Sequence, residues 1–535
     1  MLSLKNFSIK VLFASNFFIS CFLFVLFIFL SISSLVFTSI IDPDFFVGEH
    51  ILYIKDNIFL NIVFLILLIL FLKGGYVLLK KLPLNYSIAV LIAYTAILGV
   101  IWVASVKSVP AADSGSIFRA AAAFSRGDYS SLAASSSYYN YYPFQLGYTL
   151  FCQFIMSITG SDSPVLFGII NVFFLCLSYF ALINLTSLIF EDIKITYYLI
   201  LLLALCFQPI FFCSFVYGNI AGFSLSICAL WFTALYLKNK NTNNLMTIVV
   251  FSSLASVAKP NSYIVLTAIA IILILDFINK FDYKKLIAIF AIFFFSIALN
   301  QLIIAGYQSK AGTDIPDGMP QIAWISMSFQ DSSRASGWYN SKYMEKLKSA
   351  YSKNNNNPDA VKMLASEDLK ARAAYFSENP EQAVKFITRK IVSQWNEPSY
   401  QSLWVSQVKK HSSPVPAYIE NIYTGTFGLI LNSFFNIFQL LVFICFSISM
   451  LLNLKNLMKN GLNNISSQSL IVLLVPLCIL GGFLFHLISE AKAQYIMIYF
   501  VMLLPYAAQG LIYIIEADYS HLLEMILINN SQAKE

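Results

Sequence analysis

Residues 11–40 read VLFASNFFISCFLFVLFIFLSISSLVFTSI and contain no charged side chain. A helix needs about 20 mostly apolar residues to cross a bilayer, and it satisfies its backbone hydrogen bonds internally. The run is about twice as long as the apolar region of a signal peptide, and no small-x-small cleavage pattern precedes Asp42. We therefore expect it to remain as the first transmembrane helix.

The same apolar pattern recurs along the whole chain. Of its 535 residues, 58% are hydrophobic and 11% are charged, whereas soluble domains average about 25% charged. This composition excludes a soluble globular protein, a disordered chain and a nucleic-acid binder. It predicts an all-α polytopic membrane protein with about 11–13 transmembrane helices. The runs are 11–40, 58–79, 85–106, 165–190, 196–216, 220–237, 266–278, 286–305, 427–452, 469–487 and 495–515, with weaker ones at 144–158 and 245–258.

The charged residues are concentrated in one segment. Residues 306–425 carry 25 of the 61 charged side chains, which predicts a large, mostly helical extracytoplasmic loop. The chain then divides into four parts. They are an N-terminal transmembrane hairpin (1–84), a transmembrane core with its first outer loop at 107–142 (85–305), the extracytoplasmic loop (306–425) and C-terminal helices with an outer loop at 486–494 (426–535).

Short lysine-rich loops predict the orientation, because such loops face the cytoplasm. Both termini are then cytoplasmic in a multi-pass protein of the cell membrane, and residues 42–57, 107–142, 306–425 and 486–494 face outward. Four apolar runs separate Tyr142 (outside) from Lys238 (inside), yet an even number of crossings cannot join the two sides. We expect 143–159, which is short and interrupted by polar residues, to be re-entrant or interfacial.

The sequence predicts no disulfide framework and no motif-supported metal or nucleotide site. All eight cysteines lie in apolar runs, and none lies in the large outer loop. Nor does the chain contain a C-x-x-C, H-E-x-x-H, Walker or G-x-G-x-x-G pattern. ATP-driven transport, zinc hydrolysis and nicotinamide chemistry therefore have no motif to support them.

Asp113 is the first candidate functional residue. It follows the third apolar run and precedes an amphipathic stretch at 117–124. One interpretation is that Asp113 only caps this helix. The other is that a carboxylate beside an interfacial helix serves as a base toward a lipid-linked substrate.

An unusual aromatic run follows at residues 138–148, YYNYYPFQLGY. Tyrosines concentrate at membrane interfaces in any case. Five tyrosines with amide groups could also stack on a sugar ring and hydrogen-bond its hydroxyls. Tyr141, Tyr142 and Gln145 are therefore candidate substrate-binding residues.

The segment 486–495, HLISEAKAQY, places Glu490 and Lys492 between the last two spans. A lysine on the predicted outer side departs from the positive-inside trend, and an ammonium at headgroup depth can bind a phosphate leaving group. The alternative is a stray loop lysine. Lys259, at another outward helix junction, is a second phosphate candidate, although lysines at helix ends commonly snorkel.

The outer loop supplies the last candidates: Trp338, Tyr339 and Asn340 in one motif and Glu397 in QWNEPSY. Aromatic rings beside amides and carboxylates are typical of carbohydrate binding. Residence at the membrane interface explains the same rings.

Taken together, these motifs resemble the C-type glycosyltransferase superfamily, whose polytopic members use polyprenyl-phosphate-linked sugars and include protein O-mannosyltransferases and the aminoarabinose transferase. The similarity lies in the acid after an early span (Asp113), the aromatic-proline entry to the next run (141–148), and two later motifs. Residues 490–495, EAKAQY, are similar to the Glu-Ala-Lys-x-Arg-Tyr signature of wall-polysaccharide members from Gram-positive bacteria. The motif 337–340, GWYN, also resembles these members.

The resemblance implies an inverting transfer on the outer face to a cell-envelope acceptor, which could be teichoic acid, another polysaccharide, a lipid or a protein. Asp113 would be the general base, Lys492, Lys259 and Tyr495 would bind the donor phosphate, and Glu490 would bind substrate. Gln494 stands where the signature has Arg. Ser114 stands where members often have a second acid, so no acid pair supports a divalent cation and no cofactor is expected.

Two other classes remain open. A polysaccharide polymerase or ligase also combines many spans with one large outer loop, but it would be expected to carry catalytic Arg and His there. A lipid-sugar flippase or transporter, which is not an enzyme, should carry charges within its spans. Almost none are present here.

Overall fold

The computed structural model describes residues 2–42, 48–134, 137–407, 411–461 and 467–517. These residues form 23 α-helices and one two-stranded antiparallel hairpin. Ten helical segments are long and apolar enough to cross a membrane. The prediction of an all-α polytopic membrane protein is confirmed.

Ten helical segments are the candidate membrane spans. They are helix α1 (Leu2–Val36, apolar from Ile9), α2 (Ile58–Leu79), α3 (Leu84–Val106), α8 (Pro164–Phe190), α11 (Asn219–Asn239), α13 (Tyr263–Asn279, extended by a 3-10 turn at Pro260–Ser262), α14 (Tyr283–Ala311), α21 (Thr426–Asn460), α22 (Ser467–Ile488) and α23 (Ala493–Glu516). Two shorter apolar helices, α9 (Ile193–Leu205) and α12 (Thr242–Ala258), lie among them. Counting both gives twelve, within the predicted range.

The remaining elements are short or lie in the predicted outer segments. The hairpin pairs β1 (Phe37–Ile41) with β2 (Ile51–Lys55). The helices are α4 (Ala112–Ser125), α5 (Ser130–Ala133), α6 (Tyr138–Tyr141), α7 (Leu146–Thr159), α10 (Gln208–Phe212), α15 (Gln321–Met327), α16 (Ser341–Lys353), α17 (Pro358–Glu378), α18 (Pro380–Trp395), α19 (Trp404–Gln407) and α20 (Ala417–Thr424), with a 3-10 turn at Pro143–Gln145. Residues 306–425 are therefore mostly helical where they are described, as predicted.

Ion pairs tie several helix ends together at one end of the bundle. Lys238 at the end of α11 pairs with Glu191 after α8 at 2.7 Å. Asp276 near the end of α13 accepts ion pairs from Lys240 and Lys285 at 2.9 and 2.7 Å. Lys238, Lys240 and Lys285 thus lie at this end of the bundle, and the candidate site lies at the other.

Helix α7 covers the segment that raises the parity problem in the predicted topology. Gln153 in α7 donates to the carbonyl of Phe124 at the end of α4. Just beyond α7, Asp162 approaches Arg126 of the same α4 end at 4.0 Å. Helix α7 is thus packed on α4 and, with 14 residues, is not among the helices long and apolar enough to cross a membrane. The expectation that 143–159 is re-entrant or interfacial stays a prediction.

The N-terminal segment is packed into the same core as the rest of the chain. Phe27 of α1 contacts the rings of Trp395, Phe443 and Phe446 at centroid distances of 5.7, 5.3 and 4.6 Å. Helix α1 therefore shares its core with α18 and α21, and the division of the chain at residue 84 stays a prediction. All eight cysteines are unpaired.

Gly510 allows α23 to approach α21 closely, as small residues do between membrane helices. A Cβ at Gly510 would lie 1.8 Å from the carbonyl oxygen of Cys445. We expect Gly510→Ala to lower stability by about 1–3 kcal/mol because the two backbones must separate. Thermal unfolding of the detergent-purified protein measures this. The control is Gly74→Ala, which meets no atom within 4 Å, and equal melting temperatures for both variants would contradict the prediction.

Candidate functional site

Asp113 occupies the first turn of α4 with an exposed carboxylate. The N-cap of α4 is Ala111, which forms no side-chain cap, so the interpretation of Asp113 as the helix cap is wrong. Ala112 has a φ of 50°, a left-handed conformation that costs energy for a residue with a Cβ. The chain therefore enters α4 through a strained turn that places Asp113 at the surface of the site.

A hydrogen-bond chain orients the Asp113 carboxylate. The hydroxyl of Tyr217 donates to Asp113 Oδ2 at 3.3 Å. Gln145 Nε2 in turn donates to the Tyr217 hydroxyl at 2.8 Å. Gln145 is buried, so it contributes by positioning Tyr217 and through it the carboxylate.

Lys259 lies beneath the same tyrosine, at the junction between α12 and the turn before α13. Its Nζ is 3.6 Å from the centroid of the Tyr217 ring and 3.5 Å from the Tyr217 carbonyl oxygen. Burial lowers the pKa of Lys259 to about 7, although the negative charges of Asp113 and Glu490 oppose this shift. Within the described residues Lys259 has no carboxylate ion pair, so its ammonium is available to an anion.

A narrow cleft of about 20 Å³, room for about one water molecule, lies beside Lys259 between α11, α13 and α23. Its polar end is formed by side chains from three segments, and its deeper wall is apolar. The polar residues are Asn219, Ser226, Lys259, Asn261, Ser262, Gln494 and Tyr495, and the apolar ones include Phe223, Val265, Ile498 and Met502. A phosphate attached to an apolar chain matches most of this lining, and α11, α13 and α23 would have to separate to admit it.

Lys492, in contrast, is already paired. Its Nζ lies 2.7 Å from Glu49 Oε1. Glu49 also pairs with Arg334 and accepts a hydrogen bond from Gln401 Nε2 at 3.2 Å. Burial raises the pKa of the Glu49 carboxyl, but Lys492 and Arg334 outweigh burial and hold the pKa below its usual range.

Glu490 stands next to this network with no hydrogen bond or ion pair to its carboxylate from the part of the chain that the structure describes. Burial and the nearby charges of Glu49 and Asp113 together raise the pKa of Glu490 to about 7, against the opposing effect of Lys492. Asp113 and Glu490 are therefore close enough for their charges to interact. The ring of Tyr495 beside them stacks on His486 at 5.2 Å.

Aromatic side chains form the outer rim. Tyr142 contacts Trp324 at a ring-centroid distance of 6.0 Å. Burial raises the pKa of Tyr142, and the charges of Asp113 and Glu490 add to the shift. Burial and the same two carboxylates raise the pKa of Tyr339 to about 12. Tyr141 lies next to Tyr142 in this rim, and its hydroxyl bonds Ser352 Oγ of α16 at 2.8 Å.

Three predicted substrate-binding residues support the site from outside it. Trp338 is fully buried and donates from Nε1 to Ser393 Oγ at 3.0 Å. Asn340 caps α16 by accepting from the Tyr343 amide at 3.0 Å. The buried Glu397 accepts from the backbone of Gln401 at 2.7 Å. Trp338 and Glu397 are buried and bonded within the protein, which removes them as direct sugar ligands, whereas the assignment of Asn340 stays a prediction.

Glu397 nevertheless shapes the site indirectly. Tyr400 and Gln401 have φ values of 49° and 59°. This left-handed turn is held by hydrogen bonds that the Glu397 carboxylate accepts from the backbone amides of Ser399 and Gln401. The turn aims the Gln401 side chain at Glu49 and at the amide of Gln494, which donates to Gln401 Oε1 at 3.2 Å. Burial raises the pKa of Glu397 to about 7.

The sequence did not predict two central residues, Glu49 and Tyr217. Glu49 belongs to the hairpin connection of the N-terminal segment, and only the packing of that hairpin on residues 334–338 brings it to Lys492, as in the bond from the Ile51 amide to the Arg334 carbonyl. Tyr217 is one of 30 tyrosines, and no local pattern distinguishes it. No group of three or more metal-binding side chains occurs among the described residues.

Comparison with known proteins adds no assignment, because no family model matches the chain and no curated protein matches it.

Proposed function

We propose that this protein is a membrane glycosyltransferase that moves a sugar from a polyprenyl-phosphate donor to a cell-envelope acceptor on the extracytoplasmic face. The observation that carries the proposal is that one exposed carboxylate and one half-buried ammonium both contact the same tyrosine. Asp113 and Lys259 meet around Tyr217, at the polar end of a cleft whose deeper wall is apolar.

The cleft suits the donor. The phosphate would lie at Lys259 with the amides of Asn219 and Asn261 nearby, and the first prenyl units would follow Val265, Ile498 and Met502 between the helices. Lys492 would act at longer range, since Glu49 neutralises much of its charge.

Asp113 suits the base. It would take the proton of an acceptor hydroxyl as the oxygen attacks the anomeric carbon. The bond between that carbon and the phosphate oxygen breaks, both electrons leave with the polyprenyl phosphate, and the configuration inverts. Lys259 would stabilise the negative charge that grows on the leaving oxygen, as a preorganised donor does. Asp113 then returns its proton to solvent.

The competing classes find less support. A flippase needs a polar path through the bilayer, whereas the described charged groups of the site lie at one end of the bundle. A polymerase or ligase would use a lipid-linked oligosaccharide in the same cleft and remains the second candidate.

Donor turnover by the purified protein in liposomes tests the proposal. Radiolabelled polyprenyl-phosphate monosaccharides are supplied with a crude wall-polysaccharide fraction, and transfer of label to the acceptor is measured. We expect transfer from a monosaccharide donor with inverted anomeric configuration. Flipping of the labelled lipid without transfer would replace the proposal with the transporter. Use of lipid-linked oligosaccharides alone would replace it with the polymerase or ligase.

A further inference from the structure

Lys348 of α16 lies above the aromatic rim of the site. Its Nζ is 5.3 Å from the ring centroid of Tyr141 and 5.1 Å from that of Tyr142. It forms no ion pair with a carboxylate in the described ranges, although it is half-buried. Aromatic faces stabilise such a cation only in part.

The surrounding helices hold Lys348 in place. Its neighbour Leu347 and the nearby Tyr351 are fully buried in a small core with Met327 and Val361. The rim is tied to this core because Tyr141 bonds Ser352 through its hydroxyl and accepts from the Met319 amide at 3.0 Å through its carbonyl. The ammonium is therefore positioned over the rings before any ligand arrives.

The lysine two residues earlier on the same helix shows the difference. Lys346 pairs with Asp368 at 2.8 Å and is about half exposed. Lys348 lies instead over the rings of Tyr141 and Tyr142. Burial lowers the pKa of Lys348, and the negative charges of Asp113 and Glu345 oppose this shift.

We propose that Lys348, with Tyr141 and Tyr142, forms an acceptor subsite for an anionic glycan, and that the ammonium binds a phosphate or carboxylate group of that glycan. The inference rests on the proposed function, since it names the class of its acceptor. Lys259 lines the cleft proposed for the donor, whereas Lys348 lies on α16, outside the membrane-spanning helices. A sugar that packs beside the two rings would place its anionic group at Lys348.

Binding without donor tests the subsite separately from catalysis. The purified protein in detergent is titrated with a poly(glycerol phosphate) oligomer, an oligogalacturonate and a neutral dextran oligomer of similar length. We expect the wild type to bind at least one anionic oligomer more tightly than dextran. Lys348→Met should weaken that binding about tenfold or more, as loss of a charge-assisted hydrogen bond does. The control Lys346→Met should bind like the wild type.

The outcomes divide cleanly. Preference for the phosphate or for the carboxylate oligomer identifies the anion, and either preference supports the subsite. Equal binding by Lys348→Met and the wild type overturns it, and so does a wild type that binds all three oligomers alike. A Lys348→Met defect confined to polyprenyl phosphate would assign the lysine to the donor and also overturn it. Anionic binding through Lys348 without any sugar transfer would refute the proposed function but leave the subsite intact.

Discussion

An Asp113→Asn variant is expected to lose sugar transfer by about 10²–10⁴-fold, the contribution of a positioned general base. The amide keeps the size of the side chain and can still bond the Tyr217 hydroxyl, so the geometry of the turn at Ala112 should persist. It cannot accept the proton of the acceptor hydroxyl. The measurement is the single-turnover rate of transfer in liposomes.

Donor binding separates a base from a binding residue. Because Asp113 carries negative charge near the proposed phosphate position, Asp113→Asn should bind polyprenyl phosphate at least as tightly as the wild type. The control is Asp128→Asn beyond the other end of α4, where the exposed carboxylate accepts hydrogen bonds from the backbone amide and the side chain of Ser130. A wild-type rate for Asp113→Asn would remove the base assignment, and a matching loss in Asp128→Asn would indicate a structural effect.

A Lys259→Met variant should lose both donor affinity and rate. Removal of one group that stabilises a developing oxyanion costs about 10²–10³-fold in kcat, and the ground-state contact to the phosphate is lost as well. Methionine retains the apolar part of the side chain against Tyr217. Kinetics at several donor concentrations separate the change in kcat from the change in KM.

The pH dependence gives a second measurement for the same residue. Burial lowers the pKa of Lys259 to about 7 in the protein without donor, so the ammonium predominates below pH 7 and is lost as the pH rises above it. The phosphate favours the charged form and raises this pKa in the complex. Affinity for polyprenyl phosphate should therefore fall by up to about tenfold per pH unit above pH 7, until the pKa of the complex is reached.

Lys259→Met should bind more weakly at every pH and lack this decline. The control is Lys310→Met, since Lys310 also lies over a tyrosine ring, that of Tyr129 at 5.5 Å, but is exposed. An unchanged pH profile in Lys259→Met would assign the phosphate to another cation, and Lys492 would then be the first to examine.

The relative importance of the two lysines illustrates what sequence can predict. Both lie at predicted outward helix junctions, and the motif around Lys492 favoured it as the main phosphate ligand. Lys492 is in fact bound to Glu49 at 2.7 Å, whereas Lys259 has only aromatic and carbonyl contacts. The availability of a charge depends on its partner, and here the partner comes from a distant part of the chain.

Burial limited the prediction in the outer loop in the same way. Trp338 and Glu397 have the residue types that bind sugars, but both are enclosed by protein. The sequence around each is compatible with an exposed or a buried position, because the helices that cover them are remote. Glu397 holds the turn at Gln401, and Trp338 packs against Ala491. Both roles follow from the packing alone.

The sequence by itself determined the membrane architecture, because crossing a bilayer requires a local property, about 20 consecutive apolar residues in a helix. It also located Asp113, Lys259 and Glu490 beside helix ends, where charges next to apolar runs stand out. Only the tertiary structure decided that Tyr217 joins Asp113 to Lys259 and that Glu49 pairs with Lys492. It also decided that Lys259 has no ion pair among the described residues. Those properties depend on contacts between segments far apart in the chain, and no local pattern of residues records them.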